Sequence, residues 1–307
     1  MKVKAIAPWF GGKRTMAPDI VTELGEHTQY FEPFCGSMAV LFAKEPSQKE
    51  TVCDLHGDLI NLARVLQMFS CAEELYGMLQ QTLFSEDLLL RTQDGLGKTP
   101  IHEALAYPGE IASVDRAYYY FLASWMGRNG TAGTARKDYQ IAVRWTKNGG
   151  SPTVRWRNAV ESIPAWHERL LNVVILCRDA FKIMDRFEDV SETAIYVDPP
   201  YPVESRSQGD GKARGCTYLH EFDHDTDHSR LSDILKTYKE ARIVVSSYDC
   251  DRIRKLYDGW TFVDHTRQKQ LHASAGRGSR GKEAPEVLII NGPSFAAQET
   301  TDQPSLF

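Results

Sequence analysis

The sequence predicts an α/β fold built on a mainly parallel sheet, with a mostly helical module inserted into it. Two observations carry this. Seven short apolar runs rich in β-branched and aromatic residues alternate, in several places, with stretches of helical periodicity. Parallel strands need crossovers of helix length, so such alternation is their signature. The alternation then fails over residues 71–165, where helical patterns come first. The predicted organisation is a main domain formed by 1–70 and 166–292, an inserted domain at 71–165, and a disordered tail at 293–307.

The strand-like runs are QYFEPF (29–34), ETVCDL (50–55), NVVILC (172–177), TAIYVD (193–198), ARIVVSS (241–247), WTFVDH (260–265) and EVLIIN (286–291). Helical patterns cover 15–25, 57–69, 226–241 and 249–257. YFEPFCGSMAVLFA (30–43) reads as strand, acid, proline, glycine-serine, then an apolar helix. Within the insert, 113–127 is helical and DYQIAVRW (138–145) alternates, with Tyr139, Ile141, Val143 and Trp145 on one face. Asn148-Gly149 is a tight-turn signal, and TVRWR (153–157) reads as the returning strand of a β-hairpin.

Composition bounds the class. The 307 residues are 25% charged and 42% hydrophobic, ordinary for a globular chain large enough to bury its own core. There is no apolar run of membrane-spanning length and no signal-peptide pattern. Six scattered cysteines without a Cys-x-x-Cys pair read as free thiols in a reducing cytoplasm. The net charge is −5, but residues 128–157 hold seven Arg or Lys against one acid, and 267–282 hold five and no acid. Two basic patches on an acidic body fit a polyanion approached from one side; the alternative is a pair of solvated loops.

Four stretches carry candidate chemistry. AIYVDPPYPVE (194–204) ends a buried strand on Asp198, with Pro199, Pro200 and Tyr201 directly after it. Neither proline can donate to a sheet ladder, so the strand stops there. A carboxylate and an aromatic ring then stand at the C-terminal strand edge, where open α/β sheets bind ligands; a plain strand stop is the alternative. Gly36 follows Glu32 at an earlier strand-to-helix turn, and a glycine there permits close approach of a ligand to the backbone. Asp54 ends the next strand, where an acid can accept ribose hydroxyls; Asp58 is the candidate cap of the helix behind it. APWFGGKRT (7–15) places Trp9, two glycines and Lys13 before a helix, without P-loop spacing.

Together and in this order, these motifs resemble the Dam-type (D12 class) DNA adenine-N6 methyltransferase family. The matching residues are Trp9, Gly11, Gly12 and Lys13; Phe31 to Phe34 with Gly36 and Ser37; Asp54, Asp58 and Asn61; Asp198-Pro199-Pro200-Tyr201; VVSSYD (244–249); and ASWMGRNG (123–130) at the entry to the insert. The resemblance implies a Rossmann-like S-adenosylmethionine-dependent methyltransferase sheet, with the insert at 71–165 as target-recognition domain. It implies that Trp9, Lys13, Glu32, Gly36, Asp54, Asp179 and Asp198 bind S-adenosylmethionine, and that Asp198, Pro199, Pro200 and Tyr201 form the catalytic motif. After Asp179 the family usually carries an aromatic residue; here Ala180 stands there and Phe181 follows.

The chemistry gives an independent reason for this residue set. The exocyclic nitrogen of adenine is a poor nucleophile because its lone pair is delocalised into the ring. A site for it must position the base and accept hydrogen bonds from the amino group. Asp198 and the Pro199 carbonyl can do so, and Tyr201 can stack on the base. Within a duplex the base must first flip out. Double-stranded DNA is the implied partner, contacted by Arg128, Asn129, Arg136, Lys137, Arg144, Lys147, Arg277 and Arg280. Arg136 stands late after Asn129-Gly130, which predicts a target other than GATC or a relaxed one. A methyltransferase of RNA or of a protein amide, and a non-catalytic DNA-binding protein, are the rival readings.

The remaining segments divide between function and solvent. His224 and His228 stand at helical spacing but without the Glu of H-E-x-x-H, so no metal is expected; Thr226 or Asp227 reads as a helix cap. Residues 203–216 read as a mobile loop over the active site or as plain disorder, and 272–282 as a basic loop for phosphate contacts or a solvated connector. The tail ends Gln303-Pro304-Ser305-Leu306-Phe307, which resembles peptides that dock on the bacterial replication sliding clamp. The expected setting is cytoplasmic, in a bacterial, prophage or phage context, as part of a restriction-modification pair or as an orphan enzyme.

Overall fold

A computed structural model of the protein describes residues 3–9, 11–96, 112–127, 140–143, 145, 150–202, 222, 224–265, 267–268, 283–284 and 286–297. In chain order the elements are α1 (Ala17–Leu24), β1 (Gln29–Glu32), β2 (Lys49–Asp54), α2 (Gly57–Gln67), α3 (Phe69–Gln80), α4 (Glu86–Leu96), α5 (Val114–Met126), α6 (Pro152–Val160), α7 (Ile163–Leu170), β3 (Val173–Cys177), β4 (Thr193–Val197), α8 (His224–Leu235), β5 (Arg242–Tyr248), α9 (Asp251–Leu256), β6 (Thr261–Asp264), β7 (Arg267–Gln268), β8 (Glu283–Ala284) and β9 (Glu286–Ile290). Seven strands form one sheet in the order β3-β2-β1-β4-β5-β9-β6, and β7 and β8 form a separate pair. The pairs β2–β3, β1–β4 and β4–β5 are parallel, while β9 runs antiparallel to both β5 and β6. All seven predicted strands are present, and the sheet is mostly parallel, as the α/β reading expects.

The chain forms two compact units. Among the described residues, the first holds 3–17 and 32–185, and the second 18–31, 186–202 and 222–297. In the second unit β4 is buried along its whole length, flanked by β1 and β5 in register, with Phe31 opposite Ile195 and Ile195 opposite Ile243. Here α1 is tied to the chain's last described turn. Glu23 accepts from Ser294 Oγ and Phe295 N, and Arg242 reaches the Glu23 carbonyl and lies 3.9 Å over the Phe295 ring. Gly25 ends α1 at φ +66°, and a Cβ there would meet Phe295 at 2.5 Å.

The first unit is held by an aromatic core on α5, α6 and α7, where Phe121, Trp125, Trp156 and Trp166 pack together. Two of these indoles also anchor the N-terminal segment: Trp166 Nε1 donates to the Val3 carbonyl and Trp125 Nε1 to the Ile6 carbonyl. Buried Asn61 on α2 makes two bonds to the Ser113 backbone, and Arg116 of α5 pairs with Asp58. The Asp58 expectation is thereby corrected: His56 caps α2, and Asp58 is spent on α5.

Three further expectations are corrected. The apolar stretch after Gly36 forms turns rather than an assigned helix, because Gly36 (φ +44°) and Met38 (φ +60°) both hold left-handed backbone. The returning strand at 153–157 is instead part of α6. Ser151 accepts from Val154 N, and Pro152 at the first turn is already set at a helical φ. What is described of the other hairpin arm makes one antiparallel bridge, Gly127 with Ile141, while Val143 and Trp145 are 78% and 68% exposed. Finally, α8 begins at His224, so Thr226 and Asp227 lie inside it and not at its N-cap position. Residues 203–216, 272–282 and 303–307, with their expected roles, lie outside the described residues.

A buried ion triad ties the start of β2 to α7. Glu50 accepts from Lys44 Nζ and from Arg169 Nη2, and Arg169 also reaches the Leu41 carbonyl. Burial pushes the Glu50 carboxyl up, but the bonds from Arg169 and Lys44 outweigh it and hold the group below its ordinary 4.5. A depressed carboxyl contributes stability that is fully present above about pH 4.5. That contribution is lost as the pH falls through the lower folded value. Glu50→Gln leaves two buried cations facing a neutral amide and is expected to cost about 3 kcal/mol. Urea denaturation checks this, and the variant should also lose part of the wild-type decline in stability below pH 4.5.

Candidate active site

In the first unit, four residues from three separate segments of the sequence close a ring of contacts. Gly36 takes φ +44°, and a Cβ there would stand 2.8 Å from Trp9 Nε1, so the glycine is what lets the indole lie on the backbone. The Gly36 N–H donates to Asp54 Oδ2 at 2.9 Å, and the His56 N–H donates to Asp54 Oδ1 at 2.8 Å. His56 then meets Trp9 edge-on, with ring centroids 5.4 Å apart. Its Nδ1 accepts from Leu59 N and so caps α2, while its ring lies 5.5 Å from that of Tyr120 on α5. Asp54 therefore accepts one protein donor on each oxygen, and a carboxylate oxygen has room for a second.

Lys13 is buried beside this ring's sequence neighbours, its Nζ 2.6 Å from the Gly11 carbonyl. Glu32 is buried at the end of β1. Burial pushes the Cys35 thiol well up, and the Asp54 and Glu32 carboxylates push it further. Burial likewise raises Cys53, to about 12, so both thiols are protonated near neutrality. Asp179 caps a short 3₁₀ turn, its Oδ1 accepting from Phe181 N at 2.9 Å, while Ala180 is buried in that turn.

In the second unit, Asp198 leaves the end of β4 with its carboxylate engaged. Ser246 Oγ donates to Asp198 Oδ1 at 2.7 Å, and Tyr196 OH lies 3.0 Å from the same Oγ. A hydroxyl has one hydrogen, so the serine that donates to Asp198 accepts from Tyr196. The three side chains form a directed chain, Tyr196 to Ser246 to Asp198. Register explains it: β5 runs parallel to β4 with Tyr196 opposite Val244, which places Ser246 beyond it toward Asp198. Tyr201, also buried, meets Tyr248 in a T-shaped contact at 4.7 Å.

Thus Trp9, Gly36 and Asp54 are brought together in one unit, and Asp198 and Tyr201 are each held by β5 residues in the other. Sequence reasoning gave no role to His56, Ser246 or Tyr248. The last two lie inside the VVSSYD motif, and two polar hydroxyls in a strand otherwise buried were the signal available. Arg128, Asn129, Arg136, Lys137, Arg144, Lys147, Arg277 and Arg280 lie outside the described residues.

Residues 9–272 match the family of D12 class N6 adenine-specific DNA methyltransferases. The chain belongs to that family. Similar members span nearly its whole length. A type II methyltransferase of Methanocaldococcus jannaschii is 25% identical over 95% of this chain and 100% of its own. The retron Ec67 DNA adenine methylase of Escherichia coli is 25% identical over 94% and 92%. A DNA adenine methylase of Vibrio cholerae is 24% identical over 97% and 99%.

For this D12 methyltransferase the serine at 246 is the informative position. Ser246→Ala removes a hydrogen bond to a charged group, a loss of about 1.5–3 kcal/mol. Adenine methylation should therefore slow roughly ten- to a hundredfold in kcat. Steady-state kinetics on the purified variant and wild type checks the ratio.

Proposed function

We propose that the protein transfers a methyl group from S-adenosylmethionine to N6 of adenine at a specific site in double-stranded DNA, on a base flipped out of the duplex. The observation that carries the reading is the Tyr196–Ser246–Asp198 chain at the end of β4. Ser246 occupies Asp198 Oδ1 as a donor and so fixes the carboxylate plane. The Asp198 carboxylate, with the Pro199 carbonyl, takes up the two amino hydrogens of adenine. Accepting both draws the nitrogen lone pair out of conjugation with the ring. Tyr201 supports the face of the base, and Tyr248 supports Tyr201. No residue acts as a covalent nucleophile.

The residues of the first unit fit S-adenosylmethionine. Asp54 retains acceptor capacity for ribose hydroxyls, and the negative charge of Asp54 and Glu32 suits a cationic ligand. Lys13 offers a cation to its carboxylate, Trp9 on Gly36 offers an apolar wall, and Asp179 stands ready to meet the adenine moiety. When bound, S-adenosylmethionine supplies an electrophilic methyl group.

Residues 71–165 serve as the target-recognition domain. Arg128, Asn129, Arg136, Lys137, Arg144 and Lys147 meet DNA there, and Arg277 and Arg280 add phosphate contacts. The late position of Arg136 makes the target a sequence other than GATC, or a relaxed form of it.

Long-read methylation mapping of unmethylated plasmid DNA, incubated with the protein and S-adenosylmethionine, tests the whole reading. N6-methyladenine is expected at one recurrent sequence with the wild type. With Asp198→Ala the rate should fall at least about a hundredfold, as for loss of an oriented transition-state partner. Methylation of cytosine, or none at all, contradicts the proposal.

A further inference from the structure

We propose that His56 is a positioning residue for the cofactor, holding the Trp9 indole against Gly36 through its ring while capping α2 through Nδ1. The inference rests on the assignment of Trp9 and Asp54 to S-adenosylmethionine. The cap alone does not call for a histidine. An N-cap needs one acceptor, and Asn, Asp, Ser and Thr supply it without burying a ring. Here the ring is buried and stands between two others, 5.4 Å from Trp9 and 5.5 Å from Tyr120. The bond from Leu59 N to Nδ1 fixes its rotation, and the bond from its own N–H to Asp54 Oδ1 fixes its backbone. Tyr120 is fully buried on α5, so the ring has a rigid support behind it.

The consequence is mechanical. Trp9 lies in an irregular segment, and a left-handed glycine cannot hold an indole by itself. Edge contact with His56 closes the circuit Trp9–Gly36–Asp54–His56, so that the indole and the carboxylate are set before the ligand arrives. Pre-organisation of this kind lowers the ordering cost of binding and acts on affinity rather than on the chemical step.

His56→Asn separates the two roles, since asparagine caps a helix as well as any residue but carries no ring. Calorimetric titration with S-adenosylmethionine should show a Kd raised roughly tenfold in this variant, for loss of a pre-set binding wall. The melting temperature should stay within about 2 °C of wild type, and kcat at saturating cofactor within about twofold. The Trp9→Leu variant provides a cycle: adding His56→Asn to it should raise Kd by less than about twofold, because the partner is already gone. An unchanged Kd in His56→Asn, while Asp54→Ala abolishes binding, overturns the role of His56 alone. Wild-type protein that takes up no S-adenosylmethionine overturns it together with the function it rests on. Effects of Trp9→Leu and His56→Asn that simply add also refute it.

Discussion

A strand buried on both faces and both edges has to end somewhere its polar groups can go. β4 is such a strand, buried from Thr193 to Val197 between β1 and β5. Two prolines prevent its continuation, and the residue at the break is an aspartate. Asp198 would be a costly group at the edge of that core without a partner. Ser246, one strand over, supplies one, and Tyr196 in turn supplies a donor to Ser246. The hydrogen-bond chain that makes the strand end tolerable also orients the carboxylate, which is what the proposed chemistry requires of it.

The first unit solves a comparable problem with Asp54. The carboxylate closes two loops at once, one through the Gly36 N–H and one through the His56 N–H. A glycine in left-handed backbone, an indole lying on it and a capping histidine follow from that single anchor. The same helix α2 then recruits α5, through Asp58 with Arg116 and Asn61 with the Ser113 backbone. In the family motif these acids and amides look like site residues. In the structure they divide: Asp54 belongs to the ring at Trp9, and Asp58 and Asn61 hold a helix.

Much of the architecture was legible in the sequence because burial writes a simple pattern. Every strand of the main sheet is a short apolar run bounded by polar or turn residues, and all seven were readable. What failed was local. The apolar run after Gly36 has helical composition, but backbone conformation at Gly36 and Met38 is decided by what packs there, and periodicity does not report it. TVRWR alternates like a strand, yet Ser151-Pro152 directly before it is a helix start, and that local signal prevailed. The candidate site was legible where a motif ends a strand, as at Asp54 and Asp198. It was not legible where the partner comes from another strand or helix, as Ser246, Tyr248 and His56 do, because register and cap geometry are set only on folding.

The proposed chemistry requires an oriented Asp198 carboxylate that accepts the adenine amino hydrogens. Single-turnover methyl transfer by Asp198→Asn, with cofactor binding measured in parallel, tests it most directly. Asparagine is nearly isosteric but presents a donor in place of one acceptor. Retained cofactor binding and a transfer rate lowered at least about a hundredfold are expected. A variant that binds cofactor and methylates adenine within about tenfold of the wild-type rate would contradict it, because the charge and acceptor geometry of Asp198 would then be dispensable.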